Sequence, residues 1–311
     1  MEYKDIVVFY HGNCTDGYAS RHIIEGHSVP SGKVIAPEPV LCEYIPMYHD
    51  KSSDPFKAVD GFDVSNAILY IVDYSFDVET LLRLADMFRH TVVLDHHKTA
   101  QEELESLIGI RPDLEIVFDM NRSGAGITWD YLMQNISRPW WVDYVEDRDI
   151  WNNALPHTDA IGQYLRSVPY DFHAWEELNI MSADTARNLG EAMLREADAQ
   201  FRRIKSMTHR MIEVAGYTVP SVNSPCYQSE LGHDLCQDHP FAVMWCMNQD
   251  GQYYNSFRST DEGVDVSEIA KLFGGGGHRN AAGAVTELPI WDYNEENNKA
   301  GELLTLASDT D

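Results

Sequence analysis

The stretch Ile6-Val7-Val8-Phe9-Tyr10-His11-Gly12-Asn13-Cys14-Thr15-Asp16-Gly17 decides how the chain is read. Residues 6–10 form an unbroken apolar run, as in a strand buried on both faces. The run stops at His11, and Gly12 and Gly17 suit a tight strand-to-helix turn. Residues 18–25 then read as a helix. The pattern recurs three times. Residues 67–72 end at Asp73, residues 91–94 end at Asp95-His96-His97, and residues 115–118 end at Asp119. Between two of these runs, residues 78–89 carry the helical stripe Leu81, Leu82, Leu84, Ala85 and Phe88. Apolar strands alternating with helices predict an α/β fold: a parallel sheet with helices on both faces. The ligand site of such a sheet lies beyond the carboxyl ends of its strands. Three of the four runs end there in a polar cluster.

A helix follows Ser123-Gly124-Ala125, and Pro139-Trp140-Trp141 opens another that runs towards Asp147. Residues 183–212 read as one long polar helix connecting two domains. Beyond it, residues 212–219, 241–247 and 252–257 read as strands and 265–273 as a helix. Gly274-Gly275-Gly276-Gly277-His278 comes next, then a strand at 282–286. The expected organisation is a parallel-sheet domain over 1–195, a connecting helix over 196–214, a smaller α/β domain over 215–290 and an acidic tail over 291–311. A helix over 299–307 is expected in that tail.

The 311 residues hold 23 Lys+Arg against 50 Asp+Glu, a formal charge of 23 − 50 = −27. Such a surface repels phosphate backbones and lacks the cations of a sequence-independent grip on long nucleic acid. A nucleic-acid substrate should therefore be short, or met by cations at a local site. Met-Glu-Tyr-Lys-Asp at the start is charged and unlike a signal peptide, and no apolar run approaches a membrane span. Five scattered cysteines without a C-x-x-C pair fit a reducing compartment, so a cytoplasmic protein is expected.

Each cluster has a functional and a plain reading. His11 and Asp16 suit metal ligation, or Asp16 caps a helix. Asp73 at the mouth of an apolar strand suits bridging of two cations, or it caps the helix that starts near Asp77. The adjacent His96 and His97 diverge, so one can ligate while the other faces substrate. Glu146-Asp147-Arg148-Asp149 is a ligand source only because the other clusters agree; by itself it reads as a solvated face. Four consecutive glycines suit close backbone approach to an anion, with a flexible linker as the alternative. Hard oxygens with some imidazole suit Mn²⁺ or Mg²⁺. Shared carboxylates suggest a two-ion clamp for displacement at phosphorus.

In motif order, over roughly residues 4–290, the chain resembles the DHH superfamily of phosphoesterases, named for Asp95-His96-His97. Its C-terminal part resembles the DHH-associated domain, through Gly275-Gly276-Gly277-His278 and Ala281-Ala282-Gly283. Members with that domain include RecJ-type exonucleases, nanoRNases that often also dephosphorylate pAp, and phosphodiesterases of cyclic dinucleotides. The resemblance implies two Mn²⁺ ions on His11, Asp16, Asp73, His96 and Asp147, with Asp73 bridging. Asp147 is preferred to Asp149 because the family pattern has an aromatic four residues on, here Trp151. His97 would contact the scissile phosphate, and Asp95 would orient a neighbouring His. Ser123-Gly124-Ala125 matches a segment lining the site. Arg258, Gly275, Gly276, Gly277 and His278 would bind a substrate phosphate or terminal nucleotide. One departure stands out: Cys14 occupies the place of the first Asp of the family's Asp-x-Asp. As a thiolate ligand Cys14 would favour a softer ion such as Fe²⁺ or Zn²⁺; the alternatives are that Asn13 fills the place or that the first metal site is weaker.

The expected function is metal-dependent hydrolysis of short oligonucleotides or dinucleotides to nucleoside 5′-monophosphates. The alternatives are a phosphatase on a small metabolite such as pAp or polyphosphate, and a nucleotide-binding scaffold that has lost ligands. No membrane partner and no long-nucleic-acid grip are expected. The oligomeric state is left open, a homodimer included.

Overall fold

The computed structural model describes residues 2–27, 40–48 and 53–293. The helix expected at 299–307 lies outside them. The chain divides into two compact units, residues 1–195 and 196–311.

The first unit is built on five parallel strands: β1 (Ile6–His11), β2 (Cys42–Met47), β3 (Ile68–Val72), β4 (His90–Asp95) and β5 (Leu114–Phe118). Their order is β2-β1-β3-β4-β5. The chain leaves β1 for β2 on one side and returns to β3 on the other, so the switch point of the topology lies between β1 and β3, where such sheets bind ligands. Tyr10 pairs with Val72, and Val72 with Leu94. The following residues, His11, Asp73 and Asp95, therefore stand at one level along the sheet's carboxyl edge. Four of the strands match the expected runs. The fifth, β2, was not anticipated. It sits at the sheet edge, where Pro46 costs no ladder bond to a further neighbour.

Side chains alternate across the sheet. Val7, Phe9, Leu69, Ile71 and Val93 pack with Leu81, Leu84 and Phe88 around helix Val78–Met87. Ile6, Val8, Tyr70, Val72, Val92 and Leu94 pack on the other face with Ile24 and Ile127. Those two belong to helices α1 (Thr15–His27) and Gly124–Met133. A further helical layer is tied together by Tyr18, Trp129, Trp141, Leu165 and Trp175. Burying each such aromatic contributes roughly 3 kcal/mol. That is enough to fix helix Trp140–Asp149, whose last turn reaches the sheet's carboxyl edge.

The long helix Ala183–Thr208 stops short of residue 212. Thr208 Oγ1 turns back onto Ile204 O (2.9 Å) and accepts from the Asn223 N–H (3.2 Å). Residues 210–214, placed by the sequence in the connecting helix, are a strand, because Ile212 and Val214 alternate into the core of the second unit. The strand turns through Ala215 and Gly216, both at positive φ (50° and 80°), into Tyr217–Asn223, as in a two-residue hairpin.

The second unit holds a six-stranded sheet, antiparallel except where Tyr217–Asn223 lies beside Ala242–Met247. The glycine run is not an open loop. Gly276–His278 is an edge strand paired with Ala281–Thr286. Gly277 has φ 138°, and a Cβ there would meet Ala282 Cα at 2.7 Å. A Cβ on Gly275 would likewise meet Ala284 Cα at 2.8 Å, so backbone packing sets the demand for glycine at both positions.

Candidate metal centre

The turn after β1 folds the chain back over the strand's end. Asn13 takes the left-handed conformation (φ 57°), and α1 begins at Thr15. Helix and strand approach so closely that a Cβ on Gly17 would lie 2.8 Å from His11 Cβ. Asp16, one residue earlier, is thereby buried among the strand ends. Asp73 is also left-handed (φ 52°), an unusual backbone for a residue with a side chain, of the kind that clusters at functional sites.

Asp73 is the hub. Its Oδ2 lies 3.3 Å from His11 Nδ1 and its Oδ1 lies 3.1 Å from His96 Nε2. His96 Nε2 is also 3.4 Å from Asp149 Oδ2 and 3.7 Å from Asp16 Oδ2. Donor atoms of His11, Cys14 and Asp73 all fall within 4.8 Å of one another, and so do those of Asp16, His96 and Asp149. Helix Gly124–Met133 secures Asp16 through its N-terminus: the Gly124 and Ala125 N–H groups donate to Asp16 at 2.6 and 2.9 Å. Only glycine fits at 124, because a Cβ there would lie 2.7 Å from Asp73 Cβ.

The electrostatics match a cation cage. Burial, together with the charges of Asp73 and Asp149, pushes the Asp16 carboxyl well above its ordinary range. Burial likewise raises Asp149, with Asp73 adding to the effect. Burial would raise Asp73 too, but its hydrogen bonds to His11 and His96 hold it well below. The Cys14 thiol is pushed up by burial and by the same three carboxylates. Such a cluster cannot be fully ionised without positive charge. Metal–donor bonds of about 2.1 Å put neighbouring donors about 3.0–3.4 Å apart. The His–carboxylate distances fall at or near that spacing, so the residues present fit divalent ions.

Asp95 serves differently. Its Oδ1 accepts from the His96 N–H (2.7 Å) and lies 2.7 Å from His97 Nδ1, while its Oδ2 accepts from the Ser75 hydroxyl (2.6 Å). Burial opposes its ionisation, but the charge and hydrogen bond of His97 outweigh it and hold Asp95 far below the usual carboxylate range. The result is a chain Ser75–Asp95–His97 that fixes the second imidazole through Nδ1 and directs its Nε2 away from Asp95.

Two expected site residues are corrected. Asp147 does not join the cluster. Its carboxylate accepts from the Ala154 N–H (2.9 Å), the Leu155 N–H (3.0 Å) and the Thr158 hydroxyl, and so closes the loop after its own helix. Asp149 stands beside His96 instead. Ser123 is fully buried, and its hydroxyl accepts from the Gly126 N–H (3.1 Å) as a helix cap rather than facing the surface. The neighbouring Gly124 is the residue of that segment against the cluster. Arg258, Gly275, Gly276, Gly277 and His278 lie in the second unit. Arg258 there donates to Phe257 O and Ser229 Oγ, both at 2.8 Å.

Residues 233–307 match the DHHA1 domain model. Over 286 residues the chain is 35% identical to an uncharacterized protein of Acanthamoeba polyphaga mimivirus, covering 89% of this chain and 66% of that one. It is 25% identical over 261 residues to the oligoribonuclease NrnB of Bacillus subtilis, covering 72% of this chain and 60% of the relative. The chain thus spans about two thirds or less of the length of these relatives. Among solved structures, a pGpG-specific phosphodiesterase from Vibrio cholerae aligns over 98% of this chain and 99% of its own, at 11% identity and a TM-score of 0.48.

Proposed function

The chain belongs to the DHH superfamily of phosphoesterases and carries a DHHA1 domain, and on that premise we propose that it hydrolyses short oligonucleotides or dinucleotides to nucleoside 5′-monophosphates with divalent metal ions. The observation that carries the reading is Asp73, whose two oxygens face two different imidazoles (3.3 and 3.1 Å) inside a ring of further donors. His11 and Asp73 would hold one ion, and Asp16, Asp73, His96 and Asp149 the other. Bound there, divalent ions would supply water activation and charge neutralisation for displacement at phosphorus.

The remaining work belongs to the protein's own groups. His97, steered through Nδ1 by Asp95, presents Nε2–H to a phosphate oxygen. Asp95 also favours the protonated imidazole against the opposing effect of burial. Gly124 and Ala125 keep the Asp16 oxygens turned towards His96 and hold that carboxylate still. In the second unit, Arg258, His278 and the glycine strand are proposed to hold a terminal phosphate or nucleotide. The net charge of −27 supports a short substrate, since a long strand would meet repulsion beyond the caged site. The oligoribonuclease relative supports the same substrate class. Hard donors dominate the cluster, which supports Mn²⁺, with Mg²⁺ as the substitute.

The test compares a labelled dinucleotide with a twenty-nucleotide RNA, with Mn²⁺ present and after chelation. Faster turnover of the dinucleotide, lost with the metal and restored by adding it back, is expected. Absence of turnover in metal-loaded protein would sink the proposal. Release of inorganic phosphate from pAp, with dinucleotides untouched, would replace a diesterase by a monoesterase.

A further inference from the structure

The donors around Asp73 form two unlike sets. On one side His11 faces Asp73 Oδ2, and Cys14 offers a sulfur within 4.8 Å of donor atoms of both: one imidazole and one sulfur. On the Oδ1 side stand His96, Asp149 and Asp16: one imidazole and two further carboxylates. Asp73 reaches both sets because its carboxylate points one oxygen each way.

Cys14 is held in place by the backbone. Asn13 enters the turn in the left-handed conformation, and Cys14 O accepts the Tyr18 N–H at 3.0 Å as the first bond of α1. Its sulfur lies within 4.8 Å of donor atoms of both His11 and Asp73. Of the five cysteines, Cys14 alone joins such a donor cluster among the described residues. Sulfur donors select soft or borderline ions, whereas carboxylate-rich sets select hard ones.

We propose that Cys14 Sγ is a metal donor. With His11 and Asp73 it builds a site for a thiophilic divalent ion (Zn²⁺, Fe²⁺ or Co²⁺), beside a carboxylate-rich site for Mn²⁺ or Mg²⁺. The centre then holds two chemically different ions sharing one carboxylate. The inference rests on the metal-dependent reading above and deepens it. An Asp in place of Cys14 would give two hard sites; the thiolate makes them unequal. Holding the sulfur as thiolate requires one proton to leave Cys14 for solvent as the ion binds.

The test loads metal-depleted full-length protein with Co²⁺ and reads the near-ultraviolet thiolate-to-cobalt charge-transfer absorption, with dinucleotide turnover measured on the same samples. Wild type is expected to show the band at one equivalent. Cys14→Ser should lose the band yet still bind Co²⁺ at the carboxylate set, while Asp149→Asn should keep it. In competition, Cys14→Asp should lower the preference for Zn²⁺ over Mn²⁺ by about tenfold or more. Because the first readout is on wild type, a variant that fails to fold does not hide the answer. Cobalt binding and turnover with no sulfur band would overturn the role of Cys14 and leave the phosphodiesterase reading standing. No divalent binding by wild type would overturn both.

Discussion

Asp147 and Asp149 lie two residues apart in the last turn of one helix, yet their surroundings are opposite. Two residues turn a helix by about 200°, so the side chains leave on nearly opposite faces. Asp147 meets donors: two backbone N–H groups, the Thr158 hydroxyl and the Asn152 side chain. Those bonds outweigh its burial and hold its carboxyl below the ordinary range. Asp149 keeps 29% of its side chain exposed and lies 3.4 Å from His96 Nε2; burial and the charge of Asp73 raise its carboxyl against the opposing pull of the His96, His97 and His11 imidazoles. A buried acid with its hydrogen bonds made is structural. A partly buried acid raised above its ordinary range beside another carboxylate gains from a cation, which is the role proposed for Asp149.

The largest effect expected from breaking this contrast is on turnover. Asp149→Asn should lower kcat/KM on a dinucleotide by about a thousandfold, which corresponds to about 4 kcal/mol of lost transition-state stabilisation. Thermal stability without metal should hold or rise, because one source of like-charge repulsion is gone. If Asp147→Asn abolished turnover and Asp149→Asn did not, the two roles would be exchanged.

The reverse pattern is expected of Asp147→Ala. Four donors lose a charged acceptor, two of them backbone groups, at a cost of about 3 kcal/mol in unfolding free energy. Denaturant titration measures this, and turnover per folded molecule should stay within about threefold of wild type. A large drop in turnover by fully folded protein would mean that the loop over 150–158 shapes the site as well as the fold.

Asp95→Asn tests an acid between these extremes, fully buried but committed to orienting His97. Losing the charge opposite Nδ1 should cost about 10–100-fold in kcat with metal content unchanged, the usual scale for a group acting through its neighbour. Ser75→Ala should follow in the same direction by less. Loss of bound metal in Asp95→Asn would place Asp95 among the ligands instead.

Much of the first unit was legible because buried parallel strands write themselves as continuous apolar runs, and three of the four runs ended in residues that the structure brings together. His11, Asp16, Asp73 and His96 could be taken from those ends directly. Asp149 could not. Its selection over Asp147 depends on which helix face meets the sheet, and that is set by the packing of Trp141 and Val145 against distant residues. The spacing to Trp151 pointed the wrong way, because Trp151 itself turns out of the helix at positive φ (56°). Strand β2 hid for another reason: an edge strand is half-exposed, and Pro46 interrupts its pattern. Ser75 and Ser123 are common residue types whose hydroxyls acquire meaning only from partners 20 residues away and from helix capping, respectively.

The smallest expected effect separates Asp73 from the acid four residues later. A carboxylate just after a strand and before a helix has two ordinary roles, and the structure gives the capping role to Asp77. Asp77 caps helix Val78–Met87: its carboxylate accepts from the Thr80 N–H at 2.8 Å and from the Thr80 hydroxyl at 2.9 Å. Asp77→Ala should therefore cost about 1 kcal/mol of stability and leave turnover and metal content unchanged. Asp73, relieved of capping, is left to present both oxygens to imidazoles. A change in metal affinity in Asp77→Ala would show that the helix start tunes the hub. An unchanged affinity would show that the strand end and the left-handed backbone at Asp73 suffice to hold it.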